Sequence, residues 1–337
     1  MLRFTLVIIG LLLVAKSYGL DYRTINTRKG EDAAGEYLVC PVKNGKIYSK
    51  IMLKDELKPG LYCLKYDYKS VGLDWKRQFY LSLRFTKKAN RLVFVINSPA
   101  SNWEKNRIIF RVAASDHMTI RLHAGKDSKN LKEIQLKKLS LSPFSYNSGE
   151  ELFMNQGYFT GSPGGFPAGW FYGYGHVMEP AICGLSSKYP FEKSKFAMLL
   201  GVTEKQKSAI LRGTHMPFPK SGTIEFSAWI KDISGNSEGT INLWGDKHHW
   251  KVGNKVFPNR KWKKFTVSSP VPKSIKYQDD FWPCITALKG QMAVGRIELK
   301  YIKMTSGSSK GYLPEVKACR NLIVNPDFDL GYWGWLD

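Results

Sequence analysis

The sequence predicts an all-β chain built from tandem β-sandwich modules. Three observations support this: strands in which apolar and polar residues alternate, turn residues that interrupt them at short intervals, and segments that recur in order. Phe79–Phe85 alternates with the period of two that is typical of a half-buried strand. Ile224–Ile230 does the same, with Phe226 on one face and Trp229 on the other. The region from Lys193 to Leu211 is predicted to form two strands, because Gly201 and Thr203 interrupt a helical pattern.

The first residues have the features of a secretory signal peptide. Arg3 precedes an almost unbroken apolar run over residues 4–15, and a Ser-Tyr-Gly sequence ends at Gly19. We expect cleavage after Gly19, so that residues 1–19 are removed and the mature chain is secreted or lies at the cell surface. The apolar run is short of the ~20 residues that cross a bilayer, so no membrane insertion is expected after cleavage. A retained N-terminal anchor is the alternative.

The composition is basic and aromatic. The formal net charge is +23, and aromatic residues make up 13% of the chain. Such a charge attracts polyanions, for example an acidic polysaccharide or an anionic cell surface. The lysines are spread along the chain, however, which favours ordinary solvent-facing positions. Export and the absence of a recognisable nucleic-acid-binding motif argue against a nucleic-acid partner.

Several segments of the first module recur in the same order in the second, and one of them recurs without gaps. Lys58–Lys69 aligns with Lys220–Lys231: in both, a turn at glycine leads into an alternating strand that ends in lysine. Near the end of each module, Ile134–Leu141 resembles Ile297–Met304. Between these anchors, Trp103 and Trp262 each precede a further strand. Four anchors in one order indicate duplication.

A third repeat sets the predicted boundaries. Leu152–Phe159 and Leu322–Phe328 share the pattern Leu-x-x-Asn-x-x-aromatic, each followed by a stretch rich in glycine and tryptophan. The predicted organisation after the signal peptide is a divergent sandwich, a second sandwich, a linker and the first strand of a truncated third module, at residues 20–145, 146–306, 307–320 and 321–337.

Five cysteines would lie in an oxidising compartment. Cys40 with Cys63, and Cys183 with Cys284, could form disulfides within modules, while Cys319 lies in the predicted linker. Alternatively, several are free, buried and apolar in character. None has CxxC spacing, so a zinc site is not expected.

Together, these motifs resemble a known family. The Asn-x-x-aromatic opening, the Gly-x-x-x-x-Ser-Ala-Trp-x-Lys strand from Gly222, the Trp-Lys-Lys-Phe sequence from Trp262 and the closing Ile-x-Leu strand look like jelly-roll carbohydrate-binding modules of the galactose-binding-like fold. The resemblance is best over Glu151–Met304, and Tyr37–Leu141 is a more divergent copy.

The resemblance implies binding of a polysaccharide or a cell-surface glycan. Modules of this family usually accompany a glycoside hydrolase domain and are often stabilised by a calcium ion. Where relatives carry an aspartate for that ion, this chain has Glu298, and the divergent copy has Gln135. A structural calcium is therefore expected only in the second module, and no cofactor is required.

Candidate ligand residues follow from alternation within strands. Sugar rings stack on aromatic side chains, and their hydroxyls need polar partners. Continuing the parity along the strands predicts that one concave surface is shared by Trp229, Asn242, Trp244 and Trp250, with Trp282 in a nearby loop. By contrast, Trp170 and Trp262 lie in scaffold motifs and are predicted to be structural.

Two further groups of residues have side chains that could bind a ligand or a metal ion. In the first module, Trp75, Tyr80 and Arg84 are candidate ligand residues on thinner grounds. Asp246 and the pair at 248–249 invite a metal interpretation, but adjacent histidines in a strand point to opposite faces and cannot easily chelate one ion.

Three hypotheses follow. The leading one is a non-catalytic carbohydrate-binding array, the N-terminal part of a larger polysaccharide-active or cell-surface protein. The second is a structural or adhesive protein that meets an anionic envelope through its charge. The third is a fragment of a glycoside hydrolase whose catalytic domain lies further along the chain. No paired carboxylates or catalytic motif identify an active site.

Overall fold

The computed structural model describes residues 20–33, 35–72, 79–90, 92–97, 100–124, 130–153, 157–161, 163–165, 167, 169–172, 183–204, 208–245, 250–272 and 279–303. These residues form 22 β-strands, all in antiparallel pairs. The predicted all-β fold is confirmed, and so are the two strands expected between Lys193 and Leu211.

Eleven strands form the first sandwich. They are β1 (Tyr22–Ile25), β2 (Arg28–Asp32), β3 (Gly35–Lys43), β4 (Lys46–Ile47), β5 (Lys50–Leu53), β6 (Gly60–Val71), β7 (Phe79–Phe85), β8 (Val93–Asn97), β9 (Glu104–Val112), β10 (Met118–Ala124) and β11 (Glu133–Pro143). Sheet I has the order β1-β5-β10-β7-β8. Sheet II has the order β2-β3-β11-β6-β9, with β4 beside β3.

Eleven more strands form the second sandwich. They are β12 (Trp170–Tyr172), β13 (Gly184–Ser186), β14 (Ala197–Gly201), β15 (Ala209–Gly213), β16 (Met216–Pro217), β17 (Thr223–Asp232), β18 (Glu238–Gly245), β19 (Lys251–Val256), β20 (Lys263–Pro270), β21 (Asp280–Lys289) and β22 (Gln291–Ile302). Sheet III has the order β12-β15-β21-β18-β19, with β16 beside β21. Sheet IV has the order β13-β14-β22-β17-β20.

The two sandwiches share one topology. Taken in chain order, ten strands of the first sandwich match ten of the second, and each matched pair has the same neighbours in its sheet. Sheet III thus corresponds to sheet I, and sheet IV to sheet II. Only the short strands β4 and β16 fall outside this correspondence. The agreement of all ten positions is what duplication of one module produces.

The repeat of the closing strands is correct as to strand but wrong as to register. Leu64 pairs with Leu141, and Phe226, its equivalent in the gap-free repeat, pairs with Leu299. Leu141 therefore corresponds to Leu299 and not to Met304, which lies five residues further on. Both closing strands contain a bulge, and an alternating pattern fits several registers, so that sequence matching alone could not fix this one.

Each sandwich has its own apolar core. In the first, buried side chains of sheet I, such as Leu81 and Ile120, pack against those of sheet II, such as Leu64 and Ile134. In the second, 27 of the buried residues that the structure describes form one cluster that joins the inner faces of sheets III and IV. Trp170 belongs to this cluster, as its predicted scaffold role requires.

The outer face of sheet II packs against the second sandwich. Cys63 and Ile109 are cross-strand partners on that face, and both belong to the core cluster of the second sandwich. On the same face, the Nη2 atom of Arg111 donates a 2.8 Å hydrogen bond to the carbonyl oxygen of Phe218. The two sandwiches therefore pack together as parts of one unit, which ends at Lys303.

The four cysteines in the described residues are buried. Strand β11 separates the strands that carry Cys40 and Cys63, so those thiols cannot meet. Cys183 lies in the core, whereas Cys284 lies on the outer face of sheet III. Burial raises the pKa of Cys40 to about 12 and that of Cys284 to about 11. The disulfide alternative is therefore wrong for both pairs; Cys319 lies outside the described residues.

In the part of the chain that the structure describes, no helix has the length and apolar character needed to cross a membrane.

The central strands of the second sandwich give a stability prediction. Leu243 is fully buried in β18, and Leu243→Ala leaves a cavity in the shared core. We expect the free energy of unfolding to fall by about 3 kcal/mol, as measured by urea unfolding. Leu288 on the neighbouring strand β21 is 40% exposed, and Leu288→Ala is the control, with a loss below about 1 kcal/mol. Equal losses in the two variants would contradict this core assignment.

Candidate functional site

Alternation along three neighbouring strands of sheet III places a set of polar and aromatic side chains on its outer face. Ile241 and Leu243 of β18 point into the core, so Asn242 and Trp244 point away from it. The register places Trp244 opposite Trp282, and it places Asn242 opposite Cys284, which in turn lies opposite Arg212. We call the set formed by Arg212, His215, Asn242, Trp244 and Trp282 the Trp244 face.

Trp282 lies at the centre of this set and is largely covered by its neighbours. The ring of His215 stacks on the indole with centroids 4.2 Å apart and an angle of 8° between the planes. The guanidinium of Arg212 lies 4.7 Å from the indole centroid, and Trp244 meets it edge to face at 6.4 Å. As a result Trp282 is only 6% exposed. It supports the face from within the sheet and is not the loop residue that was predicted.

Both indoles of the Trp244 face carry a buried N–H group without an acceptor. Neither Nε1 atom, of Trp244 or of Trp282, has a hydrogen-bond partner among the described residues. A buried donor that stays unpaired costs about 1–3 kcal/mol. Two such donors side by side indicate a site where an acceptor from outside the chain, or an ordered water, completes the pairing.

Asn242 is held in place by its surroundings. Its Nδ2 atom donates a 2.7 Å hydrogen bond to Oγ1 of Thr240, on the same face of the strand. Gly253 lies opposite it on β19, and a Cβ atom there would come within 1.8 Å of Oδ1 of Asn242. Glycine at this position therefore leaves the space that the amide occupies.

Trp244 is the partly exposed aromatic residue of the face. Its ring lies 5.2 Å from Nζ of Lys251, its cross-strand partner on β19. The flat ring can receive an apolar face of a ligand, while the amide of Asn242 and the guanidinium of Arg212 lie one row away in the sheet. The combination is a small aromatic platform beside planar polar groups.

Trp250 does not join this face. The amide of Gly245 donates a 2.7 Å hydrogen bond to the carbonyl oxygen of Trp250, which closes the β18–β19 hairpin. Gly245 also pairs with Phe281, whose side chain is in the core, so Trp250 lies on the core side. Its ring meets Phe218 edge to face at 5.1 Å. The predicted surface position was wrong because alternation does not continue through the connection between two strands.

Trp229 lies on a different sheet. It points away from the core as predicted, but it belongs to β17 of sheet IV, whereas Trp244 belongs to sheet III. Its ring lies 4.6 Å from Nζ of Lys264 and 5.3 Å from the guanidinium of Arg296, beside Phe191. The two tryptophans therefore lie on opposite outer faces of the sandwich and cannot share one surface. Alternation gives the side of a strand but not the sheet.

The surroundings of Glu298 do not suit a calcium ion. Its carboxylate forms ion pairs with Lys264 and Arg296, each at 2.9 Å, and with Lys300 at 3.5 Å. A divalent cation would add positive charge to a carboxylate that three cations already neutralise. No group of three or more His, Cys, Asp or Glu side chains that could hold a metal occurs among the described residues. Glu298 is thus an ion-pairing residue.

The candidates of the first sandwich occupy the equivalent sheet. Tyr80 and Arg84 alternate with the core residues Leu81 and Leu83 on β7, and they lie on the outer face of sheet I. Trp75, Asp246 and the pair at 248–249 lie outside the described residues.

Sequence reasoning missed Arg212 and His215. Arg212 alternates with the buried residues Leu211 and Gly213 of β15, and this parity was readable once the strand had been located. His215 lies in the connection to β16, where no periodic signal exists. It stacks on Trp282 because β21, which is distant in the chain, lies beside β15 in sheet III.

A scan against protein-family profiles finds no match, and a search of curated proteins finds no relative. Solved structures with a similar arrangement include the N-terminal tandem of two family 22 carbohydrate-binding modules from Paenibacillus barcinonensis Xyn10C. The alignment covers 84% of this chain and 92% of that one, with 10% identity and a TM-score of 0.32.

Two single modules are also similar. A family 61 carbohydrate-binding module in complex with β-1,4-galactotriose is covered over 99% of its length by 45% of this chain, with 10% identity and a TM-score of 0.31. A family 4 carbohydrate-binding module is covered over 94% of its length by 36% of this chain, with 12% identity and a TM-score of 0.29. At such scores the description of this chain rests on its own strand order and side chains.

The ion pairs of Glu298 predict a pH-dependent contribution to stability. Burial raises the pKa of Glu298, but the hydrogen bond from Lys264 and the charges of Lys264, Lys300 and Arg296 outweigh it, so that its pKa lies below 4.5. Such a group stabilises the fold above the pKa of the unfolded chain, and this stabilisation is lost as the pH falls through the lowered value. We expect Glu298→Gln to reduce the free energy of unfolding at pH 7 by about 2 kcal/mol.

Urea unfolding at pH 7 and at pH 3 measures this effect, and the difference from wild type should shrink at pH 3. The matched control is Glu238→Gln, because the side chain of Glu238 is 46% exposed and forms an ion pair with Lys289 at 3.4 Å. Exposed pairs contribute less than about 1 kcal/mol. A difference for Glu298→Gln that stayed constant with pH would exclude the proposed ion pairing.

Proposed function

We propose that this chain is a carbohydrate-binding protein and that its second sandwich binds a sugar chain at the Trp244 face. The observation that carries this proposal is the pair of packed indoles whose N–H groups have no acceptor in the described part of the chain, next to Asn242 and Arg212 on one sheet face. Sugar hydroxyl oxygens are acceptors for such donors, and sugar rings present C–H groups that pack on an indole.

The chemistry favours binding of an extended chain over enclosure of a small molecule. The face is built from neighbouring strands of one sheet, so the side chains of one row lie about 5 Å apart across the strands, and successive rows lie about 7 Å apart along them. Trp244 and Trp282 occupy one row, and Asn242, Cys284 and Arg212 occupy the next. A polysaccharide can contact successive rows with successive sugar units.

The wider context is part of the same proposal. The N-terminal features described above support export, which is where polysaccharides and cell-surface glycans occur. We place the chain in a larger polysaccharide-active or cell-surface protein, where binding modules hold it to its substrate or envelope. Linked modules raise the effective concentration of one another, so that weak single sites suffice.

Electrostatic adhesion is the second candidate, and the net charge of +23 favours it. Such binding would be weakened strongly by salt, because exposed charges are screened beyond about 8 Å at physiological ionic strength. Stacking on Trp244 would be affected far less. Salt dependence therefore separates the two functions.

Trp244→Ala tests the proposed site. We expect at least a tenfold loss of affinity for the best neutral polysaccharide, because the variant removes both the aromatic platform and one indole donor. Isothermal titration against cellulose, xylan, mannan and galactan oligosaccharides in 0.5 M salt measures the loss. High salt suppresses the contribution of net charge.

The matched control is Trp229→Ala, which removes an equally large, partly exposed aromatic side chain from the opposite sheet. It should leave the affinity within about twofold of wild type. Near-ultraviolet circular dichroism verifies that both variants are folded. Loss of binding in the control alone would move the site to sheet IV, and failure of wild type to bind any neutral glycan would refute the Trp244 site.

A further inference from the structure

The outer face of sheet I, in the first sandwich, carries four cations in two adjacent rows: Lys50 and Arg121 in one, Arg23 and Arg84 in the next. Parity and register place Lys50 of β5, Arg121 of β10 and Arg84 of β7 on this face, with Arg23 on the edge strand β1. Four neighbouring strands thus each contribute one cation. At the usual spacing between strands they extend over about 14 Å. We call these four residues the cationic face.

The cations on this face are not neutralised by any other residue that the structure describes. Lys50 and Arg121 are direct cross-strand partners, an arrangement of like charges that destabilises a sheet. The Nε atoms of Arg84 and Arg121 are buried and have no hydrogen-bond partner in the part of the chain that the structure describes. No ion pair is formed by any of the four cations to another described residue.

Sheet II of the same sandwich contains ion pairs that sheet I lacks at these four cations. There Arg28 pairs with Glu133 at 2.7 Å, and Lys138 pairs with Asp67 at 3.5 Å. On sheet I, the half-buried Arg84 and Arg121 have no carboxylate partner among the described residues. A partner molecule with anionic groups is the simplest source of the negative charge that these cations lack.

Uncharged groups lie among the cations. Tyr80 and His123 are cross-strand partners on the same face, and Nε2 of His123 lies 2.8 Å from Oγ of Ser82. The pKa of His123 is lowered by burial and by the charges of Arg84 and Arg121, so the imidazole is neutral at physiological pH. Flat rings and a hydroxyl therefore flank the guanidinium groups.

We propose that the cationic face of the first sandwich is a binding site for an acidic polysaccharide, whose carboxylate or sulfate groups pair with Arg84, Arg121 and Lys50. Arginine binds such groups through two parallel hydrogen bonds, which suits a planar anion on a sugar. Cations on four neighbouring strands, in two adjacent rows, match a polymer with repeated charges better than a single small anion. Tyr80 supplies a ring on which a sugar unit packs.

This site is separate from the Trp244 face. The cationic face lies on the first sandwich and the Trp244 face on the second, and they share no residue. The second sandwich packs against the outer face of sheet II. The cationic face lies on the other sheet of the first sandwich, sheet I. The two proposals can fail independently.

The test compares two variants of the full chain that lose the same charge. Arg84→Gln with Arg121→Gln removes two cations of the face, whereas Lys43→Gln with Lys46→Gln removes two exposed lysines that pair across the β3–β4 hairpin. Affinities for polygalacturonate and for dextran sulfate are measured at 0.15 M salt. We expect a loss of at least tenfold in the arginine variant and less than twofold in the lysine variant.

Two readouts keep this test decisive. The unfolding midpoint of the arginine variant should equal or exceed that of wild type, because the repulsion between Lys50 and Arg121 is relieved. If that variant does not fold, Lys50→Gln alone takes its place, with an expected loss of about threefold. Binding of neutral glycans should be unchanged in every variant, which separates this site from the Trp244 face.

Three results would overturn the proposal. Equal losses in the two double variants would show attraction by net charge alone, and absence of binding to both acidic polymers would show that no such site exists. Tighter binding to duplex DNA or to anionic phospholipid vesicles, with the same dependence on Arg84 and Arg121, would assign the face to a different class of partner. Preference for either polygalacturonate or dextran sulfate identifies the anionic group.

Discussion

Antiparallel pairing with side chains on alternate sides is the constraint on which the rest of the structure depends. Each strand must direct one set of residues into a core, so the other set is left for a different use. In β18, burial of Ile241 and Leu243 leaves Asn242 and Trp244 on the outside. In β7, burial of Leu81 and Leu83 leaves Ser82 and Arg84 there. The outer faces are therefore by-products of core formation that the chain can specialise.

The outer faces are specialised in different ways. That of sheet II is apolar at Cys63 and Ile109 and packs against the second sandwich. That of sheet IV holds Glu298 in ion pairs with three cations, so this carboxylate is neutralised within the sheet. Sheets I and III, which correspond in the duplication, each keep buried N–H groups without an acceptor among the described residues: Nε of Arg84 and Arg121 on sheet I, and Nε1 of Trp244 and Trp282 on sheet III. These are the two faces that we assign to ligands.

The sequence was sufficient for the fold and for part of the site. Alternation identified the strands and their buried sides, and internal repeats identified the duplication, because both depend on local patterns. It could not assign strands to sheets, so Trp229 was grouped with Trp244 although β17 and β18 belong to different sheets. Nor could it follow parity through the β18–β19 connection, where Trp250 turns to the core. The stacking of His215 on Trp282 requires contacts between strands distant in the chain.

The duplicated topology also explains how one scaffold can carry two kinds of site. The positions on β10 that correspond to the centre of sheet III hold Thr119 and Arg121, where β21 has Trp282 and Cys284. These residues point away from the core in both sandwiches. The packing of the core therefore does not restrict which side chains the outer face carries. Aromatic rings with neutral donors favour neutral sugars, and unpaired guanidinium groups favour acidic ones. Because the sandwiches are packed together through sheet II, a polysaccharide with neutral and acidic regions could be held at both faces by one chain, with the gain in affinity that linked sites provide.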